Sequence, residues 1–99
     1  MSLYNQDSFR KAINSTFNIQ LDDQSFSLTL TECNDHTSEN VPDYERFSLI
    51  FESNDSLLEQ STYSLQHSEL GNQDLFLVPI HGDDKGFQYE ATINQKISD

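Results

Sequence analysis

Three histidines and one cysteine are the residues of this chain best suited to catalysis or metal binding. His36 follows Cys33 by three positions, and His67 and His81 each lie near a carboxylate, which seventeen acidic residues in 99 make common. A zinc site needs three or four converging ligands, yet none of the spacings HxH, CxxC or HExxH occurs. We therefore predict no metal ion and no other cofactor.

Nucleophilic catalysis has little support in the sequence. Cys33 and His36 would bring a thiol near a base, but such pairs usually come together from distant segments and need an orienting group and oxyanion donors. No serine lies in a G-x-S-x-G elbow, and no glycine-rich loop is present to bind a phosphate. The prediction is a protein with no catalytic residues, which is not an enzyme.

Aromatic residues near the ends of predicted elements are better candidates for binding another protein. Tyr4 and Tyr44 lie at such positions, where a ring can anchor an interface. His36 lies in the longest predicted loop, residues 33–43, which is rich in turn-forming residues and lacks periodicity. Tyr4, His36 and Tyr44 are the predicted interface residues. The alternative for both tyrosines is a rim position with the hydroxyl group in water.

The charge of the chain excludes some partners. Seventeen acidic residues against five basic ones give a formal net charge of −12. Nucleic acid binding requires lysine and arginine to displace counterions, and an anionic membrane surface repels an acidic protein. We expect neither partner. The charge serves solubility, or alternatively forms a surface that docks on a basic protein or mimics nucleic acid.

Length and cysteine content indicate how the chain is organised. Ninety-nine residues are expected to form one domain, 1–99. The lone Cys33 cannot form an internal disulfide, no signal peptide begins the chain, and no apolar run is long enough to span a membrane. We expect a cytoplasmic protein that is a monomer or, through an exposed strand edge, a weak homodimer.

Alternation with a period of two predicts the strands. Phe47, Leu49 and Phe51 alternate with Ser48, Ile50 and Glu52, as expected for a strand with one buried face. Similar segments occur at 17–21, 26–30, 63–66 and 87–93. Residues 75–78 form an unbroken apolar run, which predicts a strand covered on both faces.

A short helix is predicted near the N-terminus. Phe9, Ala12 and Ile13 lie on one face of a helix over residues 7–15. Together the elements predict a mainly β fold: a small antiparallel β-barrel or a two-layer sandwich of about six strands, with one short N-terminal helix.

Four segments, taken in order, carry a resemblance to a known family. They are residues 47–51, residues 63–67 with Leu70 and Gly71, residues 75–80, and residues 89–91. In these segments the chain resembles an uncharacterised family of small bacterial domains of unknown function. The resemblance implies a single domain, brings no activity or catalytic residue with it, and points towards assembly of a phage-tail-like or surface-fibre kind.

Three functions follow from these observations. The leading hypothesis is a non-catalytic protein-binding or assembly module that acts through a sheet edge or the 33–43 loop. An alternative is an acidic inhibitor or immunity-type protein that occludes a basic site, in which carboxylates should concentrate on one face. A further alternative is a small-ligand-binding barrel, which would need an aromatic-lined cavity of about 300 Å³ or more.

Overall fold

One helix and six strands form the structure, a computed structural model that describes residues 6–36, 44–55 and 57–96. The elements are α1 Gln6–Lys11, β1 Thr16–Leu21, β2 Gln24–Asp35, β3 Tyr44–Ser53, β4 Ser61–His67, β5 Gly71–Asp83 and β6 Gly86–Lys96. No helix among these residues is long and apolar enough to cross a membrane.

The six strands are antiparallel and close into a barrel with the order β1-β2-β3-β6-β5-β4. Strands β4, β5 and β6 follow one another as hairpins, and β6 returns to lie beside β3, which is a Greek-key arrangement. The ring is completed where β4 pairs with β1. The predicted fold class is confirmed, and of its two forms the described strands adopt the barrel.

The two ends of the barrel have different contents. At the helix end, the ring of Phe9 in α1 lies 6.1 Å from Phe47 and 6.4 Å from Phe17, measured between centroids. The opposite end carries the β1–β2 turn, the link from β3 to β4 and the β5–β6 turn. We call it the acidic end. Its carboxylates belong to Asp22, Asp23, Glu52, Asp55, Glu59, Asp83 and Asp84.

Inward-facing side chains fill the barrel. Period-two alternation brings most buried residues of the strands to the interior, where they form one hydrophobic cluster with α1, whereas Ser48 and Ile50 of β3 are buried on the outward face. Phenylalanines contribute strongly, since each aromatic ring buries a large apolar area. The fully buried large side chains are Phe9, Phe17, Ile19, Leu28, Leu30, Phe47, Leu49, Phe51, Leu65, Leu75, Leu77 and Tyr89.

The helix is shorter than the predicted 7–15, because it ends at Lys11. Asn14 adopts a left-handed conformation with a φ of 76°, which ends helical geometry and which asparagine tolerates better than most residues. Its backbone N–H donates to the Leu30 carbonyl oxygen at 2.7 Å, so the chain turns there into β1. The predicted apolar stripe is nevertheless used, since Phe9 and Ala12 are buried and Ile13 packs against the core.

Strand β2 continues further than predicted. Cys33, Asn34 and Asp35 pair with residues of β3, although they were expected to begin the 33–43 loop. Backbone hydrogen bonds to β3 hold this polar segment in the sheet. Because such bonds do not depend on apolar side chains, the segment shows no apolar alternation in the sequence. Residues 37–43 of the predicted loop lie outside the described residues.

Strand β5 is covered on one face only, so the prediction for residues 75–78 is wrong. Leu75 and Leu77 point into the core, whereas Phe76 is 48% exposed and Val78 is half-buried. The physical reason is that a single-layer barrel encloses its core, and the one described helix lies at its end rather than on its side. The outward face of β5 therefore remains apolar and accessible.

Candidate interaction surface

The predicted interface residues lie near the helix end or outside the described chain. Tyr44 begins β3 and is 46% exposed. His36 follows β2; its Nε2 lies 2.9 Å from the Ser48 Oγ, and its backbone N–H donates to the Arg46 carbonyl oxygen at 2.7 Å. Tyr4 is outside the described residues. The contacts of His36 fix the end of β2 against β3, which is a structural role.

His67 is an interior residue whose two ring nitrogens both make hydrogen bonds. Nδ1 accepts from the backbone N–H groups of Glu69 at 3.0 Å and Leu70 at 3.2 Å. Nε2 therefore carries the hydrogen and donates to the Ser15 Oγ at 2.8 Å, while the Ser15 hydroxyl donates to the Ala12 carbonyl oxygen. These bonds connect the turn after β4 to the segment after α1, so His67 holds the helix end together.

Cys33 is poorly suited to act as a nucleophile. Its Sγ lies 4.0 Å from the Gln6 carbonyl oxygen, under α1. Burial raises the pKa of the Cys33 thiol; Arg10 opposes this shift and Asp35 adds to it. A thiol with a raised pKa stays protonated at neutral pH and is weakly reactive. Among residues 6–36, 44–55 and 57–96, no three histidine, cysteine or acidic side chains are grouped as a metal site.

An apolar row on the outward face of β5 is the most distinctive surface of the barrel. We call Phe76, Val78 and Ile80 the β5 row. Phe76 is 48% and Ile80 46% exposed, and Val78 between them is half-buried. A register shift between Pro79 and His81 forms a bulge that includes Ile80. Isolated exposed apolar residues are common, but adjacent ones on a polar protein mark interaction surfaces.

Carboxylates alternate with apolar residues beside the β5 row. Val78 pairs with Glu90 on β6, Glu90 pairs with Ile50 on β3, and Ile50 pairs with Glu32 on β2. We call these four residues the outer band. Ile50 is only 8% exposed although it faces outwards. The band thus places a glutamate on each side of Ile50, whose own side chain adds little accessible apolar surface.

A shallow groove of about 370 Å³ adjoins Phe76. Its walls include Thr62 of β4 and Thr92 and Asn94 of β6. Pairing between β5 and β6 stops at Val78 and Glu90, and the groove lies beyond this pair, towards the helix end. It therefore offers hydroxyl and amide groups next to an exposed ring, a combination suited to holding a side chain of another protein.

The acidic end concentrates negative charge. Of the five basic residues, only Lys85 lies there. The N–H of Lys85 lowers the pKa of the Asp83 carboxyl by a hydrogen bond of 2.8 Å, and His81, whose Nε2 is 3.4 Å from it, lowers it further. Open clefts of about 130 and 450 Å³ flank the end of β3. The remaining basic residues, Arg10, Lys11, Arg46 and Lys96, belong to elements at the helix end.

A family model described as a domain of unknown function, DUF6916, matches residues 4–93. The chain belongs to the DUF6916 family. This confirms the resemblance to an uncharacterised family of small domains. The comparisons with curated proteins and with solved structures gave no match. The family description states no activity, substrate or partner, so a function must be argued from the surface of this DUF6916 domain.

The β5 row, the outer band and the acidic end all lie within the part of the chain that matches DUF6916. Sequence analysis missed the row as a surface, although the signal was present in the unbroken apolar run of residues 75–78. A strand that is apolar on both faces is expected to make two apolar contacts, one with each face. The barrel core supplies one of them, and the described residues leave Phe76 close to half exposed on the other.

Proposed function

We propose that this chain is a non-catalytic protein-binding module and that the β5 row is its binding surface. The observation that carries the proposal is the exposure of Phe76 and Ile80 on one strand. Only 34% of the residues are hydrophobic, so two large apolar side chains left in solvent are a notable loss of apolar area that could otherwise be buried. Apolar surface contributes about 25 cal/mol per Å² when it is removed from water, and the described residues leave the β5 row available for this.

The proposal replaces a sheet edge with a sheet face as the place of contact. The strands close into a barrel, which leaves less free edge than an open sheet, and the outside of the barrel is open to a partner. Three row residues and the adjoining groove form a small interface, and small interfaces are typical of transient complexes. The half-buried thiol of Cys33, which is not in a disulfide, supports a reducing compartment such as the cytoplasm.

A capture experiment with matched variants tests this function. The protein is immobilised and exposed to lysate of the organism that encodes it, alongside a Phe76→Ser/Ile80→Ser variant and a Leu57→Ser variant. Leu57 is 53% exposed and lies on the β3–β4 link, so its replacement removes similar apolar surface elsewhere. We expect a bound protein that the row variant loses and the Leu57 variant keeps.

Circular dichroism and thermal unfolding of the variants serve as the folding control. All three replaced residues are exposed, so the barrel should remain intact. A partner that the row variant retains at wild-type yield would contradict the proposal. So would a partner whose capture depends on Leu57 alone.

The acidic end supports a second candidate, an acidic inhibitor that occludes a basic site. Seven carboxylates and a single lysine lie at this end, which is the concentration of charge that such a function requires. In this case, replacement of Asp22, Asp23 and Asp84 by asparagine should abolish capture, and capture should weaken steeply as salt rises. Capture that survives both changes would rule out this candidate.

The small-ligand barrel has no comparable support. Aromatic and aliphatic side chains occupy the interior, and the clefts described above are all open to solvent. We therefore do not propose a ligand within the barrel.

A further inference from the structure

We infer that the partner of the β5 row is a basic amphipathic segment of another protein, with apolar side chains flanked by lysine or arginine. This inference rests on the proposed function, because it assumes that the row is a binding surface. It goes further by naming the chemistry of the partner, which follows from the charges around the row.

Glutamates lie beside two of the apolar residues of this face, Val78 and Ile50. Glu90 lies directly opposite Val78, Glu32 lies beyond Ile50, and Glu52 faces outwards two residues after Ile50. Residues paired directly across adjacent strands have Cβ atoms about 5 Å apart, so a group that covers Val78 also meets the Glu90 carboxylate. A partner with its own carboxylates here would be repelled, whereas a cation next to an apolar side chain gains from both neighbours.

In the described strands, no lysine or arginine lies in the two cross-strand lines next to the outer band; Arg46, which pairs with Asn94 beside the groove, lies one line further towards the helix end. Next to the outer band, towards the acidic end, the residues paired across the strands are Thr29, Glu52, Gln88 and His81. On the other side of the outer band, towards the helix end, the paired residues are Asn34, Ser48 and Thr92. We therefore expect the partner to supply the cations that meet Glu32 and Glu90.

Charge also argues against a second copy as the occupant. Each chain has a net charge of −12, and a symmetric dimer through the β5 row would place the glutamates of one copy near those of the other. Like charges placed together across an interface are strongly unfavourable. A basic partner avoids this repulsion, and its apolar side chains can cover Phe76 and Ile80.

Three synthetic peptides of equal length test the inference. The first combines leucines on one helical face with lysines beside them, the second replaces the lysines with glutamine, and the third replaces the leucines with serine. Each peptide is titrated into the full chain, and nuclear magnetic resonance follows the methyl groups of Ile50, Val78 and Ile80.

We expect the leucine–lysine peptide to shift these methyl signals and to bind more tightly than the other two. Phe76→Ser should weaken its binding about tenfold, since half of a phenylalanine ring is lost from the contact. Glu90→Gln should weaken binding up to about fivefold at low salt, and less at high salt, as expected for a partly exposed charge pair. Leu57→Ser should leave the affinity unchanged.

The other outcomes distinguish the basic partner from the β5 row as a binding surface. If the leucine–glutamine peptide binds the row equally well, the basic partner is ruled out while the binding surface stands. If neither leucine peptide moves the three methyl signals, both the inference and the proposed surface fail. If the serine–lysine peptide binds as tightly and shifts amides of the acidic end instead, the inference fails in favour of the second candidate function.

Discussion

Gly86 occupies a position that a side chain cannot share. It follows the β5–β6 turn with a φ of +143°, and a Cβ added there would overlap the carbonyl oxygen of Ser53 on β3. Gly71 also has a positive φ, of +72°, but has open space around the position of its Cβ. Substitution at Gly71 therefore tests backbone strain alone, whereas substitution at Gly86 adds a steric clash with β3.

Replacement by alanine should affect these two glycines differently. We expect Gly86→Ala to lower the free energy of unfolding by about 2–4 kcal/mol, because strain and overlap add. Gly71→Ala should cost only about 1 kcal/mol, the strain of the left-handed region. Urea denaturation of both variants measures the difference. Equal losses would show that the end of β3 moves aside to accommodate the new methyl group.

Cys33 gives the protein a pH dependence in the alkaline range. Its pKa is raised in the folded state, chiefly by burial, so folding favours the protonated thiol. The stabilisation is complete below the ordinary cysteine pKa of about 8.5 and is lost as the pH rises through the folded value. We expect the wild type to lose more unfolding free energy than Cys33→Ala between about pH 7.5 and pH 10. Parallel pH profiles from denaturation would contradict this assignment.

At the scale of elements, a buried hydrogen bond helps to hold the link between β3 and β4. Leu58 is 4% exposed within the core, whereas its neighbour Leu57 is in solvent. The N–H of Leu58 donates to the hydroxyl oxygen of Tyr89 on β6 at 2.8 Å. Tyr89 thus helps to secure the link that makes the Greek key, together with Asp55, whose carboxylate accepts from the Ser27 N–H at 2.8 Å.

Tyr89→Phe removes the acceptor of this bond and little else. We expect a loss of about 1–3 kcal/mol in the free energy of unfolding, because the amide of Leu58 is buried and loses this partner. Tyr63→Phe is the matched control, since its hydroxyl donates to the Glu59 carbonyl oxygen at 2.6 Å in an exposed place. A cost for Tyr89→Phe no greater than for Tyr63→Phe would mean that water reaches the Leu58 amide.

The elements differed in how well they could be predicted from the sequence. Alternation predicted β3 and β6, because Phe47 and Tyr89 belong to long regular ladders with one clear interior face. It failed for Cys33–Asp35, where pairing depends on backbone groups that no side-chain pattern records. The helical spacing of the N-terminal apolar stripe predicted a helix that was too long, because the helix ends at Lys11 and Asn14 adopts a left-handed conformation.

The candidate surface was less predictable than the fold. Tyr44 is exposed at the start of β3, and its role at an interface stays a prediction. Phe76 was missed because its exposure depends on what covers the outside of the barrel, which is a property of the whole arrangement. The alternation of Glu90 with Ile50 and Val78 depends on strand order, and strand order was not in the sequence pattern.

At the scale of the whole molecule, net charge opposes folding. A charge of −12 on 99 residues, with seven carboxylates at one end, favours expanded states through self-repulsion. We expect sodium chloride to stabilise the protein by about 1 kcal/mol between about 0.01 M and 0.3 M, as screening shortens the range of repulsion. The midpoint of thermal unfolding measures this effect.

A variant with Asp22, Asp23 and Asp84 replaced by asparagine provides the control for the salt effect. These exposed carboxylates belong to the two turns of the acidic end, so their removal should reduce the salt dependence and raise the stability at low salt. An undiminished salt effect in this variant would place the repulsion elsewhere on the barrel.

The joints of the barrel differ in strength along its circumference. Strands β3 and β6 pair along the whole of β3, whereas β1 and β4 share a single recorded residue pair, Asn18 with Gln66, in the described chain. Breaking that one joint unrolls the cylinder into a curved open sheet without disturbing any other ladder. Hydrogen exchange should therefore be fastest where β1 and β4 face each other, and this opening would briefly expose two fresh strand edges to any neighbouring chain.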